Sequence, residues 1–166
     1  WLGHSAFRMD IDGHIILLDP FLSGNPLAPI RPDEITPEYI LLTHGHGDHV
    51  GDTVDISRRT SAPVISNVEI AGWLRKQGVE KTIGMNIGGS HDLGFFKVKF
   101  TIAYHSSSLP DGAYGGNPAG FILTTAQHNI YFAGDTTIFA EMAWIGDMGI
   151  DVAFLREKGF DATAYD

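Results

Sequence analysis

The chain contains no cysteine. Disulfides, thiolate metal sites and cysteine nucleophiles are therefore excluded, and any bound metal must be held by nitrogen and oxygen. Positive charge is scarce: 11 lysines and arginines stand against 20 aspartates and glutamates, a formal net charge of −9. The densest basic spots are the pairs Arg58-Arg59 and Arg75-Lys76. Nothing there resembles the positive footprint that nucleic acid requires. No apolar run approaches the length of a membrane-spanning helix, and no secretory leader is recognisable. The expectation is a cytoplasmic protein with a small-molecule substrate and neither nucleic acid nor membrane as partner. Trp1 in place of Met leads us to expect a natural start that lies further upstream or has been trimmed.

What remains is ordinary globular material. Apolar residues make up 43% and charged residues 19% of 166 residues, enough for one domain with a real core. Against that background one segment stands out: "LLTHGHGDHVGD", residues 41–52. His44, His46, Asp48 and His49 lie within six positions, directly after an apolar run. Neutral imidazole and carboxylate are natural ligands for zinc, manganese or iron. His44 and His46, two apart, can share one face of an extended segment. Asp48 and His49 fall at the start of the next element and can address a neighbouring position. The segment thus offers two pairs of ligands, which suits a two-metal centre. The plainer alternative is a polar loop in which Asp48 caps a helix.

Patterning places these residues. "WLGHSAFRMDIDGHIILLDP" reads as two strands joined by an Asp12-Gly13 turn, the second ending at Asp19-Pro20. Residues 24–37 hold four of the eight prolines and read as a loop. "YILLTH" reads as a short buried strand, and "DHVGDTVDISRRT" as a helix starting at Asp48. "APVIS" is a strand and "NVEIAGWLRKQG" a helix closed by Gly78. "KVKFTIAYH" alternates up to His105, "AGFILTTA" and "NIYFAGD" form a hairpin, "TIFAEMAWIGDMG" reads as a helix, and "IDVAFL" as a last strand. Hairpins interspersed with helices imply sheets covered by helices, not an all-parallel doubly wound fold. Asp19, His44, His105 and Asp135 each sit where an apolar strand stops, and strand ends are where a rigid scaffold presents ligands.

The segment 44–49 resembles the HxHxDH signature of the metallo-β-lactamase superfamily. "LLDPFLSGNP", "NIGGSH", "AGDT" and "IDVAFL" extend the resemblance to a bacterial and archaeal group of poorly characterised metal-dependent hydrolases. The match runs in order over about residues 1–155, leaving 156–166 as a divergent tail of a single domain. The resemblance implies an α/β (α+β) fold, the αββα sandwich with metals at the sheet edges. It implies that His44, His46 and His105 hold one metal, that Asp48 and His49 hold a second, and that Asp135 bridges them. Asp19 would steady the ligand loop from behind. The implied activity is hydrolysis of a small ester, lactone, amide or phosphoester by metal-bound hydroxide, with Asp48 orienting the nucleophile and moving its proton. Zinc is the first expectation, with manganese and iron as alternatives.

The sequence also departs from that pattern. Relatives continue past "IDVAFL" to a late strand whose histidine completes the second metal site, and here no histidine follows His128. The expectation is therefore a C-terminally truncated sandwich with one tight metal and a second weak or empty. Exposed apolar surface would favour a homo-oligomer. The competing reading is a non-catalytic metal-binding or interaction protein on the same fold. His4 and His91 are read as hydrogen-bonding histidines, with a place facing the pocket as the alternative. His14 and His128 are read as solvated turn residues, and Trp73 and Trp144 as core. Residues 106–118, rich in Gly, Ser and Pro, read as a mobile flap beside the site.

Overall fold

A computed structural model describes residues 1–155, and the tail 156–166 lies outside the described residues. Strands β1 (Phe7–Ile11) and β2 (His14–Leu18) form the expected hairpin. Asp12 and Gly13 both take positive φ, 53° and 91°, as a two-residue hairpin turn demands. Strands β3 (Tyr39–Leu41), β4 (Val64–Asn67) and β5 (Thr82–Met85) add in parallel, giving a first sheet in the order β1-β2-β3-β4-β5.

The second sheet contains β6 (Ser90–Asp92), β7 (Lys97–Ile102), β8 (Ala119–Thr124), β9 (Asn129–Phe132) and β10 (Val152–Phe154). Its order is β10-β9-β8-β7-β6, antiparallel except where β10 joins β9 in parallel.

The period-2 alternation of strands sorts the side chains into layers. Ile16, Leu18, Leu41 and Ile65 face the second sheet and pack with Phe100, Phe121, Leu123 and Phe132. Their neighbours Leu17, Ile40 and Val64 point the other way, against Ile56, Ile70 and Leu74. Those last three lie on helices α2 (Thr53–Thr60) and α3 (Val68–Lys76). On the far side of the second sheet Ile122, Tyr131 and Ala133 meet Ile145 of α4 (Met142–Gly146). Helix, sheet, sheet, helix is the sandwich expected from the sequence.

Three local readings need correction. The helix expected from Asp48 onward is two pieces, α1 (Gly47–Val50) and α2, separated at Gly51 and Asp52. Gly51 has φ 43°, and a Cβ there would collide with the Pro20 carbonyl oxygen and the Phe21 backbone. That close approach lets Asp52 bind the loop after β2: its N–H donates to Pro20 O at 2.9 Å, and its carboxylate accepts from Leu22 and Ser23 N–H at 2.8 Å. The helix expected over 137–149 shrinks to the five residues of α4. Trp144, read as core, is 71% exposed, because so short a helix covers only part of the sheet beneath it. Strands β5 and β6 were not anticipated; Gly84 and the polar "SHD" interrupt the apolar signal that marks the other strands.

No helix among the described residues is long and apolar enough to cross a membrane.

Candidate metal centre

Parallel strands in the first sheet deliver Asp19 after β2 and Thr43–His49 after β3 to the same sheet edge. The second sheet delivers His105 after β7 and Asp135 after β9. The two edges are joined where Ala119 N–H donates to Thr43 O at 2.9 Å. Gly134 makes the join close: a Cβ there would lie 2.9 Å from Thr43 Cβ and 2.9 Å from Ala119 O. With only hydrogen at that position, Asp135 reaches the histidines.

Asp19 organises the cluster from beneath. It is fully buried with φ 41°, and its carboxylate accepts from Thr43 N–H (2.8 Å), Thr43 Oγ1–H (2.6 Å) and His49 Nδ1 (2.8 Å). A hydroxyl has one proton. Thr43 spends it on Asp19, so at 2.9 Å from His44 Nδ1 the Thr43 oxygen accepts. That fixes the proton of His44 on Nδ1 and leaves Nε2 as a lone pair. His49, with Nδ1–H on Asp19, likewise turns its Nε2 inward in the neutral ring. One carboxylate thereby sets the tautomers of two histidines, the arrangement that orients metal-binding imidazoles.

The inward atoms converge. Ligand atoms of His44, His46 and His105 lie within 4.8 Å of one another, as do those of His44, His49 and Asp135. A third group consists of His4, Asp48 and His49. The rings of His46 and His105 stand 5.1 Å apart and those of His44 and His105 5.0 Å, both near perpendicular. All six residues read as ligands from the sequence are thus brought to one place, and Asp19 binds Thr43 and His49 beside them. His4, read chiefly as a plain hydrogen-bonding residue, also lies here, its Nε2 3.2 Å from Asp48 Oδ2. Its signal was invisible locally, because the segment containing it lies some forty residues before the histidine-rich one. His91 is on the exposed strand β6 and belongs to none of the three groups. His14, read as solvated, binds Glu38 at 2.9 Å and stacks on Phe95 with centroids 4.0 Å apart.

Does this donor set fit a cation? His49 Nε2 is buried, makes no hydrogen bond and lies 3.5 Å from Asp135 Oδ2. A lone pair facing a carboxylate oxygen in a buried position fits a positive ion between them. His44 Nε2 and His46 Nδ1 lie 3.0 Å apart, so in the metal-free protein one proton holds two nitrogens together that a cation would hold instead. Burial pushes the His44 imidazolium well below the usual histidine range, reinforced by the neighbouring His49, His46 and His105. Burial also lowers His46. Both rings therefore stay neutral, the form that binds metal. The hydrogen bond from His4 holds the Asp48 carboxyl far below the ordinary carboxylate range.

A pH dependence follows. Native His44 stays neutral while the unfolded chain takes up a proton below about pH 6.5, so unfolding is favoured as pH falls. The stability of metal-free protein is expected to be nearly flat from pH 8 to 7 and to drop below 6.5 by up to about 1.4 kcal/mol per unit from His44, with His46 adding to the loss. Asp48 adds a loss only below the normal carboxylate range. Urea unfolding at half-unit steps checks this; a flat profile from pH 6.5 to 5 would contradict it.

The loop 106–118, expected to be a mobile flap, is tied down. Ser107 Oγ accepts from Gly45 N–H and donates to Gly115 O, both at 3.0 Å. Asn67 Nδ2 donates to Gly115 O (2.6 Å) and Asn117 O (3.1 Å), Trp73 Nε1 donates to Asp111 (2.8 Å), and Leu109 is buried in the core. Ser106 Oγ lies 3.3 Å from His46 Nε2. The loop therefore buttresses the cluster.

Two facing sheets with helices outside, and histidines and carboxylates gathered at one edge, define a metallo-β-lactamase-like fold. The comparisons agree. The model of the beta-lactamase superfamily domain matches residues 14–165, and the chain belongs to that family. It is 45% identical over 161 residues to a UPF0173 metal-dependent hydrolase of Methylacidiphilum infernorum, covering 96% of this chain and 71% of that one. A UPF0173 metal-dependent hydrolase of Bacillus cereus is 47% identical over 159 residues, with coverage of 92% and 70%. Among solved structures, Igni18, a metallo hydrolase from the archaeon Ignicoccus hospitalis, superposes with a TM-score of 0.81 at 37% identity, covering 92% of this chain and 67% of that one.

Proposed function

We propose that the protein is a metal-dependent hydrolase of a small ester, lactone, amide or phosphoester, built as one domain around this cluster. The observation that carries the reading is the convergence of His44, His46 and His105 within 4.8 Å, with the inward lone pair of His44 set through Thr43 by the buried Asp19 carboxylate. The names of the relatives support it. A divalent cation, zinc first, would be held by these three histidines, and a second, weaker one by Asp48 and His49, with Asp135 between. A cation there supplies Lewis acidity and brings water within reach of ionisation at neutral pH.

The chain's own residues do the rest. Asp19 and Thr43 hold the rings of His44 and His49 in register before substrate arrives. Asp135 places negative charge between the two groups and offsets the cations. Asp48 stays anionic, so it orients water by accepting a hydrogen bond; its low basicity suits it poorly to carrying the proton away. Ser106, whose Oγ lies 3.3 Å from His46 Nε2, would be available to donate to a substrate oxygen.

The test is a screen of p-nitrophenyl esters, lactones, anilides and phosphoesters with purified protein, before and after chelation. Turnover of one class that vanishes on chelation and returns with added metal is expected. Turnover that survives chelation would contradict the metal-dependent reading. Bound metal with no turnover of any class would leave a non-catalytic metal-binding protein.

A further inference from the structure

We propose that His4 is a direct ligand of the second cation, completing with Asp48 and His49 a site of two imidazoles and one carboxylate; this rests on the reading of the cluster as a metal centre.

The histidine-rich segment supplies only Asp48 and His49 to that position. His4 enters from the turn that precedes β1. Leu2 N–H donates to Ala6 O (2.8 Å), Ala6 N–H to Gly3 O (3.0 Å), and Trp1 Nε1 to His4 O (2.8 Å), so the turn is closed on itself. Within it His4 has φ 51°, a left-handed conformation uncommon for a residue with a side chain. Strain of this kind persists where the surrounding structure enforces it, and it often marks a functional position. Here it aims the ring inward, edge-on to Phe21 (centroids 5.8 Å) and to His49 (5.2 Å).

The donor atoms suit a cation. His49 presents Nε2, because its Nδ1 is committed to Asp19. Asp48 presents Oδ2 at 3.2 Å from His4 Nε2, and the ligand atoms of all three residues lie within 4.8 Å of one another. Two histidines and one carboxylate around an accessible position form a recurrent set for divalent transition metals. The contact between His4 and Asp48 is what these two side chains make of each other without a cation, and the ion replaces it. Asp48 is half-exposed, whereas His44 at the first site is fully buried. The second ion therefore binds the more weakly of the two.

The experiment is calorimetric titration of Zn(II) into metal-stripped wild type, His4→Gly and His46→Ala, with ring-nitrogen NMR of histidine-labelled wild type. Glycine accepts the positive φ, and circular dichroism and melting of the stripped variant report whether the turn has survived. Wild type is expected to bind two ions in separable events. His4→Gly should keep the first event unchanged and weaken the second at least about 100-fold, beyond the range typical of a residue acting only through another ligand. The His4 ring nitrogen should shift on the second equivalent of zinc. A second event unchanged in His4→Gly, a single event in wild type, or a His4 resonance that ignores zinc would each overturn the proposal while leaving the first site standing. No event in any of the proteins would instead remove the metal-centre reading on which it rests.

Discussion

Asp19→Asn is expected to lower metal affinity by about 10- to 100-fold and the stability of the metal-free protein by about 3 kcal/mol. The substitution changes almost no volume, and asparagine tolerates the positive φ at this position, so the backbone is not the cause. The cause is a reversal of donors. The carboxylate accepts three hydrogen bonds, two of them on Oδ2 from Thr43 Oγ1 and His49 Nδ1. With the amide oxygen kept on the Thr43 N–H, an NH2 group confronts those two donors. The Thr43 hydroxyl must then turn its proton toward His44 Nδ1, and His49 must carry its proton on Nε2. Both rings present N–H where they had presented lone pairs. Competition with a chromophoric chelator and urea unfolding measure the two effects. Unchanged metal affinity would contradict the role given to Asp19.

The second large effect concerns the metal as a staple between sheets. His44 and His46 follow β3 of the first sheet, whereas His105 follows β7 of the second. A cation held by all three ties the two sheets together in the folded state alone. Zinc at one hundred times its Kd is expected to stabilise the stripped protein by about 2.7 kcal/mol. His46→Ala should abolish most of that gain and cost little without metal, because the ring is only partly buried. A zinc-induced rise in melting temperature that is equal in wild type and variant would place the ion elsewhere.

Much of this was legible in sequence for identifiable reasons. The Asp12-Gly13 turn and the alternating strands leave local signatures, and the layers follow from them. The segment 44–49 carries four ligand-type residues in six positions, so its chemistry could be read without coordinates. Strand ends located Asp19, His105 and Asp135. Contacts formed only across the fold were not legible. The approach at Gly51 that breaks the helix depends on the loop after β2, and the tautomers of His44 and His49 depend on Thr43 and Asp19 meeting in the interior. The loop 106–118 has a composition that reads as mobile, yet Asn67, Trp73 and Gly45 from other elements fasten it. His4 and Asp48 meet only because the first hairpin lies beside β3.

Elemental analysis shows whether this cluster is a metal centre. Wild type and a His46→Ala/His105→Ala double variant, dialysed together against limiting zinc, would be assayed for metal per chain. At least one divalent ion per wild-type chain is expected, with a large deficit in the double variant. Wild type without metal, or equal metal in the two proteins, would contradict the metal-centre reading.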